Sequence, residues 1–306
     1  MVKQLTVQHT TRYTYAKPVT LGTHRLMMRP RDSHDLRLVD ATLTLSPPGA
    51  VRWIHDVFGN SVALVDFADP TSELTIESVL EIDRYPYVPP RLDLDPDALT
   101  YPFIYSPDDR RDLGPLCENH YPDPKGRLAE WVNGFVMAKG TDTLALLADI
   151  NGGIKDGFAY QTRIVEGTQT PIETLELGSG TCRDFALLMI ESARLLGFGA
   201  RFVSGYLYDP ALDAGADEVV VQGAGATHAW VEVYLPGTGW VEYDPTNGLI
   251  GSEALIRVAV TRDAAQAVPI IGSFVGDTGD YLGMTVEVSV TSGSRQPARV
   301  PVLQPA

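Results

Sequence analysis

Residues Gly178–Ala186 read Gly-Ser-Gly-Thr-Cys-Arg-Asp-Phe-Ala and hold one of only two cysteines in a chain of 306 residues. Thr181 and Asp184 stand at capping-box spacing, with Thr181 as the N-cap. Phe185, Leu188, Met189, Ser192, Leu195 and Leu196 then recur with the period of one helix face. The pattern predicts a helix whose first residue is Cys182. The unpaired amides and positive dipole end at such a position favour a charged sulfur, and the same amides can hold an oxyanion forming beside it. The preceding glycines would let a substrate backbone approach closely. Read by itself, the segment also fits a buried packing cysteine.

A thiol nucleophile works best with a base, and the base with an orienting partner. His228 lies 46 residues beyond Cys182 in Gly-Ala-Thr-His-Ala-Trp-Val-Glu-Val-Tyr-Leu-Pro. Alternation there puts His228, Trp230, Glu232 and Tyr234 on one strand face, and Ala229, Val231, Val233 and Leu235 on the face turned to the core. Asp244 follows 16 residues later, after the turn Pro236-Gly237-Thr238-Gly239. Folding the strands about that turn sets Trp240 near Leu235 and Asp244 close to Trp230 or Val231. Asp244 is then within side-chain reach of His228. Alone, His228 also reads as a structural strand histidine, and Asp244 as a turn aspartate before proline. The order Cys, His on a strand, Asp on the next strand favours one constellation.

The rest of the chain supplies a frame. Alternating residues Leu5, Val7, His9, Thr11, Tyr13 and Tyr15 predict a strand, and further short strands run to about Tyr87, so residues 1–88 read as an antiparallel β-sandwich. Residues 89–125, rich in proline and aspartate, read as an ordered connector. Helical periods begin near Arg127, and strands follow the Cys182 helix, so residues 126–250 read as an α+β core. Residues 251–306 read as a C-terminal extension with one late strand. The net charge of −15 disfavours a nucleic-acid groove or an anionic membrane surface. No signal-peptide pattern or transmembrane run is visible, so the expectation is a soluble, cytoplasmic protein with reduced thiols and no membrane partner. Cys117, in Leu-Gly-Pro-Leu-Cys-Glu-Asn-His, reads as structural. The spacing of Cys182, His228 and Asp244 is poor for zinc, and no cofactor is expected.

At "GSGTCRDFA", "ARLLGFGARFVSGYL" and "HAWVEVYLPGTGWVEYDPTNG" the chain resembles the transglutaminase-like cysteine enzymes, over about residues 140–250. The stretches "RYTYAKPVTLGTHRLMMRPR" and "DVFGNSVALVDF" resemble the β-rich domain that precedes this core in the bacterial branch. The resemblance implies a papain-like core, with the cysteine helix packed on an antiparallel sheet. It implies Cys182 as nucleophile, His228 as base and acid, and Asp244 as orienter. It also implies an upstream side-chain oxyanion donor, for which Tyr160 is the candidate. The implied chemistry is attack on an amide or peptide bond of a peptide or protein through a thioester. Hydrolysis is favoured; amine transfer by a transglutaminase and a catalytically idle scaffold are the alternatives. Ala264-Ala265-Gln266-Ala267 departs from the more polar tail of that branch.

Overall fold

Strand β1 (Lys3–Leu21) follows the alternation of its sequence, burying Leu5, Val7, His9, Thr11 and Tyr15. The computed structural model describes residues 2–85, 93–137, 140–161, 167–210 and 226–293. Among the described residues no helix is long and apolar enough to cross a membrane. Strands β2 (His24–Arg29), β3 (Leu36–Ser46), β4 (Gly49–His55), β5 (Ser61–Phe67) and β6 (Thr71–Arg84) complete the early β-rich region. β1, β6 and β3 pair side by side, while β2, β5 and β4 form a second sheet. Tyr15, Leu26, Met28, Val65, Leu74 and Ile76 lie in the core between them, as the two inner faces of a sandwich do.

The sequence-defined extension 251–306 is shared between both parts of the molecule. Leu255–Thr261 joins the sheet of the later part, whereas Ile270–Ile271 pairs with β2 and Phe274–Val275 with β1. Tyr281–Ser292 then runs antiparallel along β1, from Tyr15↔Tyr281 to Leu5↔Ser292. A long strand has two hydrogen-bonding edges. β6 takes one edge of β1 and Tyr281–Ser292 takes the other.

The later part is built on β7 (Gly199–Leu207), β8 (Thr227–Leu235), β9 (Gly239–Asp244) and β10 (Leu255–Thr261). All are antiparallel neighbours, in the order Leu249–Ile250, β9, β8, β7, β10. The Asn60 side chain closes the free edge of β10, donating to Val260 O at 2.7 Å and accepting from Val260 N at 2.9 Å. Among the described residues the sheet is accompanied by helices α1 (Pro107–Leu113), α2 (Arg127–Asn133), α3 (Thr143–Gly157), α4 (Pro171–Leu177) and α5 (Cys182–Leu195). α1 lies in the stretch read as connector. α5 packs against β8 and β7, with Phe185, Leu188 and Met189 in one cluster with Ala229, Val231 and Val233.

The opposite face of the sheet is also covered. Tyr206, Tyr208, Ile256 and Val258 meet Leu5, Val7, Leu80 and Ile82 of the sandwich. The later sheet is thus a middle layer, between α5 and the early strands.

Candidate active site

Each candidate residue is placed by a local device. Thr181 caps α5 through its side chain, and Asp184 reciprocates by accepting from Thr181 N at 2.8 Å and Thr181 Oγ1 at 2.9 Å. Asp184 Oδ1 also accepts from Gln169 N at 2.6 Å, so this buried carboxylate works as a structural clamp. Arg183 points away, to the Ala264 carbonyl and to the Phe202 ring at 5.0 Å. The departing segment Ala264–Ala267 therefore supports the start of α5 from behind. Cys182 occupies the first position of α5 and is 8% exposed.

The glycines before Cys182 serve the chain itself. Gly178 ends α4 in the left-handed region at φ 62°. At Gly180 an added Cβ would sit 2.9 Å from Asp184 Cβ and 3.1 Å from Phe185 Cε1. Gly178 and Gly180 thus provide a helix end and a tight packing contact. Ser179–Gly180 also pairs in parallel with Ala159–Tyr160, which brings Tyr160 beside the turn that carries Cys182.

His228 begins β8 and is 1% exposed. Its Nε2 lies 2.9 Å from Asp244 Oδ2. A carboxylate only accepts, so Nε2 carries the proton. Nδ1 is buried, has no other hydrogen-bond partner among the described residues, and is the nitrogen left for the neighbouring Cys182 thiol. Burial opposes the charged ring, yet the Asp244 carboxylate and then the neighbouring Cys182 outweigh it and push His228 up to about 10. Asp244 is itself held below its usual range. Burial acts against this, and the charge of His228, with hydrogen bonds from His228, Asn247 and Thr246, prevails. Thr246 N donates to Oδ1 at 3.0 Å and Asn247 Nδ2 to Oδ2 at 2.8 Å, so the turn after β9 fixes both carboxylate oxygens.

The β8–β9 register pairs Leu235 with Gly239, Tyr234 with Trp240 and Val231 with Tyr243. Trp240 is thus opposite Tyr234, one position from the expected Leu235, because Gly239 already belongs to the ladder. Asp244 lies one step beyond Tyr243, on the Trp230 side, as the hairpin reading required. Tyr160 is partly buried, edge-on to Phe185 with centroids 6.3 Å apart. Burial first, then the charges of Cys182 and Asp244, push its hydroxyl up to about 12. Cys117 is buried beside Tyr105 and Leu113, and both cysteines are free thiols.

Sequence reasoning missed two residues around His228. Trp230 stacks on the imidazole with centroids 6.0 Å apart and planes at 25°. Trp230 Nε1 donates to Glu242 Oε1 at 3.2 Å. The alternation of β8 already put Trp230 on the histidine face; only the β9 register brings Glu242 to it.

A mixed α+β chain of antiparallel sheets, with a cysteine at a helix start and a histidine–aspartate pair on adjacent strands, matches a known class. Residues 5–83 match the bacterial transglutaminase-like N-terminal region, and residues 130–245 match the transglutaminase-like superfamily core. The chain belongs to the bacterial transglutaminase-like family. An uncharacterised protein of Mycobacterium tuberculosis is 31% identical over 298 residues, covering 92% of this chain and 91% of its own length. One from Mycobacterium leprae is 27% identical, covering 94% and 98%. Among solved structures, a candidate cysteine protease from Cytophaga hutchinsonii shares the fold, with TM-score 0.65, 19% identity, and coverage of 97% of this chain and 93% of its own.

Proposed function

We propose that this chain is a cysteine-dependent enzyme that opens amide or peptide bonds of a peptide or protein through a thioester, with water as the acyl acceptor. The observation that supports it most is the His228–Asp244 contact of 2.9 Å at Nε2, which leaves Nδ1 for Cys182. The candidate cysteine protease that shares the fold is consistent with this reading.

The Cys182 sulfur, as thiolate, attacks the amide carbon, forming a C–S bond while the C=O electron pair moves onto oxygen. The amides at the start of α5 and the Tyr160 hydroxyl are the proposed donors to that oxygen. As the C–N bond breaks, the leaving nitrogen takes the proton from His228 Nδ1. A water then gives its proton to Nδ1 and attacks the thioester. Collapse releases a carboxylic acid and restores the thiolate–imidazolium pair. Asp244 holds the ring throughout and keeps the Nε2 proton.

The test is incubation of the full chain with a mixed peptide library, with and without methylamine, read by mass spectrometry. Cleaved or deamidated peptides that vanish with Cys182→Ala are the expected result. Methylamine-bearing products would make amine transfer the reaction, and no Cys182-dependent product of any kind would remove the enzymatic reading.

A further inference from the structure

Among the described residues, His228 is held at Nε2 by the hydrogen bond to Asp244 and otherwise neighbours only the Cys182 thiol in its plane. A ring held at one edge can still swing about that contact, which would carry Nδ1 away from the sulfur. One face of the ring is flanked by Trp230, which is fully buried, with centroids 6.0 Å apart and planes at 25°. Within about 6 Å an indole face also favours an imidazolium over a neutral ring. Trp230 is in turn fixed at its far end, where Nε1–H donates to Glu242. The space for its ring exists because Gly205 stands opposite His228 on β7. A Cβ at Gly205 would sit 2.8 Å from Trp230 Cη2 and 2.0 Å from the Ile256 carbonyl oxygen.

Glu242 reaches the boundary with the early strands. It lines a small polar cavity with Arg31, Ser33, Asp35, Arg84 and Arg257. Arg84, the last residue of β6, is 2% exposed and anchored by Asp35 and by the Ser252 carbonyl. On the neighbouring strand Glu232 stands directly across from Glu242, held by Arg201 at 2.6 Å and Arg257 at 2.6 Å. Burial, then Glu232, pushes Glu242 up to about 7, against the opposing charges of Arg257 and Arg84.

We propose that Trp230 and Glu242 are positioning residues for His228. Glu242 anchors the indole, the indole flanks and favours the charge of the imidazole, and the sandwich contributes the Arg84 charge to the cavity that Glu242 lines. This inference rests on the reading of Cys182 and His228 as the reacting pair.

The test uses Trp230→Phe, Glu242→Leu and Glu242→Gln in the full chain. Two readouts need no substrate: the ¹⁵N-histidine NMR titration of His228, and the pH profile of iodoacetamide alkylation at Cys182. In Trp230→Phe and Glu242→Leu the titration of His228 falls by about half a pH unit, the size of an exposed cation–π contribution. With a peptide substrate, kcat falls about tenfold at unchanged KM, as for a misoriented catalytic group. Glu242→Gln keeps an acceptor for the indole and restores most of both. Titrations that superimpose on wild type in folded variants, with or without a lower Tm, would overturn the proposal and leave Trp230 and Glu242 as packing groups. If no peptide is turned over at all, the reading of the function fails, while the NMR titration still decides the positioning.

Discussion

The two faces of strand β8 are both buried, yet they differ in chemistry. Toward α5, β8 presents Ala229, Val231, Val233 and Leu235 to an apolar cluster. On its other face it presents Trp230 and Glu232, with Arg201, Arg257 and Glu242 around them, and His228 stands at the strand's start beside Cys182. Apolar packing is non-directional and scales with the area removed from water. Hydrogen-bonded and charged groups lose their solvation unless each partner sits at a set distance and angle, so they specify geometry more than they add stability. Along β8, the α5 side is therefore purely apolar packing, while the other side adds directional polar pairs to the apolar contacts that join the sheet to the sandwich.

That contrast can be broken or sharpened in order of expected effect. The largest is Cys182→Ala. It removes the proposed nucleophile and a single sulfur at a helix start, so turnover should fall by at least about 10³-fold while Tm stays near wild type. Turnover of a verified peptide at near wild-type rate would end the thioester mechanism. Asp244→Asn comes next. Activity should drop by roughly 10² to 10⁴, because the amide can turn its NH₂ toward His228 and lose the tautomer. Rate and melting temperature measured on the same variant separate an orienter from a turn residue, since an unaltered rate would leave a Cys182–His228 dyad.

On the α5 face the pattern should invert. Leu188→Ala empties a fully buried position and should cost about 2–5 kcal/mol in urea unfolding. Its kcat per folded molecule should stay within a few-fold of wild type. A large loss of kcat with little loss of stability would mean that the two faces are not divided as described.

The smallest effect concerns pH. His228 binds its proton more tightly in the folded chain, so its contribution to stability is complete below about pH 6.5, the unfolded value. It is lost as pH rises through the folded value, which is raised to about 10. Asp244 has the opposite sign: its contribution is present above about pH 4 and lost as pH falls. Wild-type Tm should therefore decline between pH 7 and 10 by about a few degrees more than that of His228→Gln. Parallel Tm curves would show that the His228–Asp244–Cys182 cluster adds nothing to stability.

How far the site could be read in advance depended on the range of the interactions. The cap Thr181–Asp184 and the hairpin about Gly237 involve residues a few positions apart, so spacing alone located Cys182 at a helix start and Asp244 near His228. Helix α4 carried an equally local signal, the box Thr170-Pro171-Ile172-Glu173 and a closing Gly178, that went unread. The Leu255–Thr261 strand was harder. It is buried on both faces, so its sequence shows an apolar run and no alternation, and the core was closed at residue 250.

Local sequence determined the elements that bear the candidate residues: the capped helix start, the alternating strand, the tight hairpin and the Asp-Pro turn. These follow from dihedral preferences and side-chain periods that act within a few residues. Only the tertiary structure decided which imidazole nitrogen meets Asp244, that Trp230 flanks the ring and donates to Glu242, and that Tyr281–Ser292 lies along β1. Those outcomes depend on register and burial between segments far apart in the chain, where many partners satisfy the same local pattern and only the assembled core selects one.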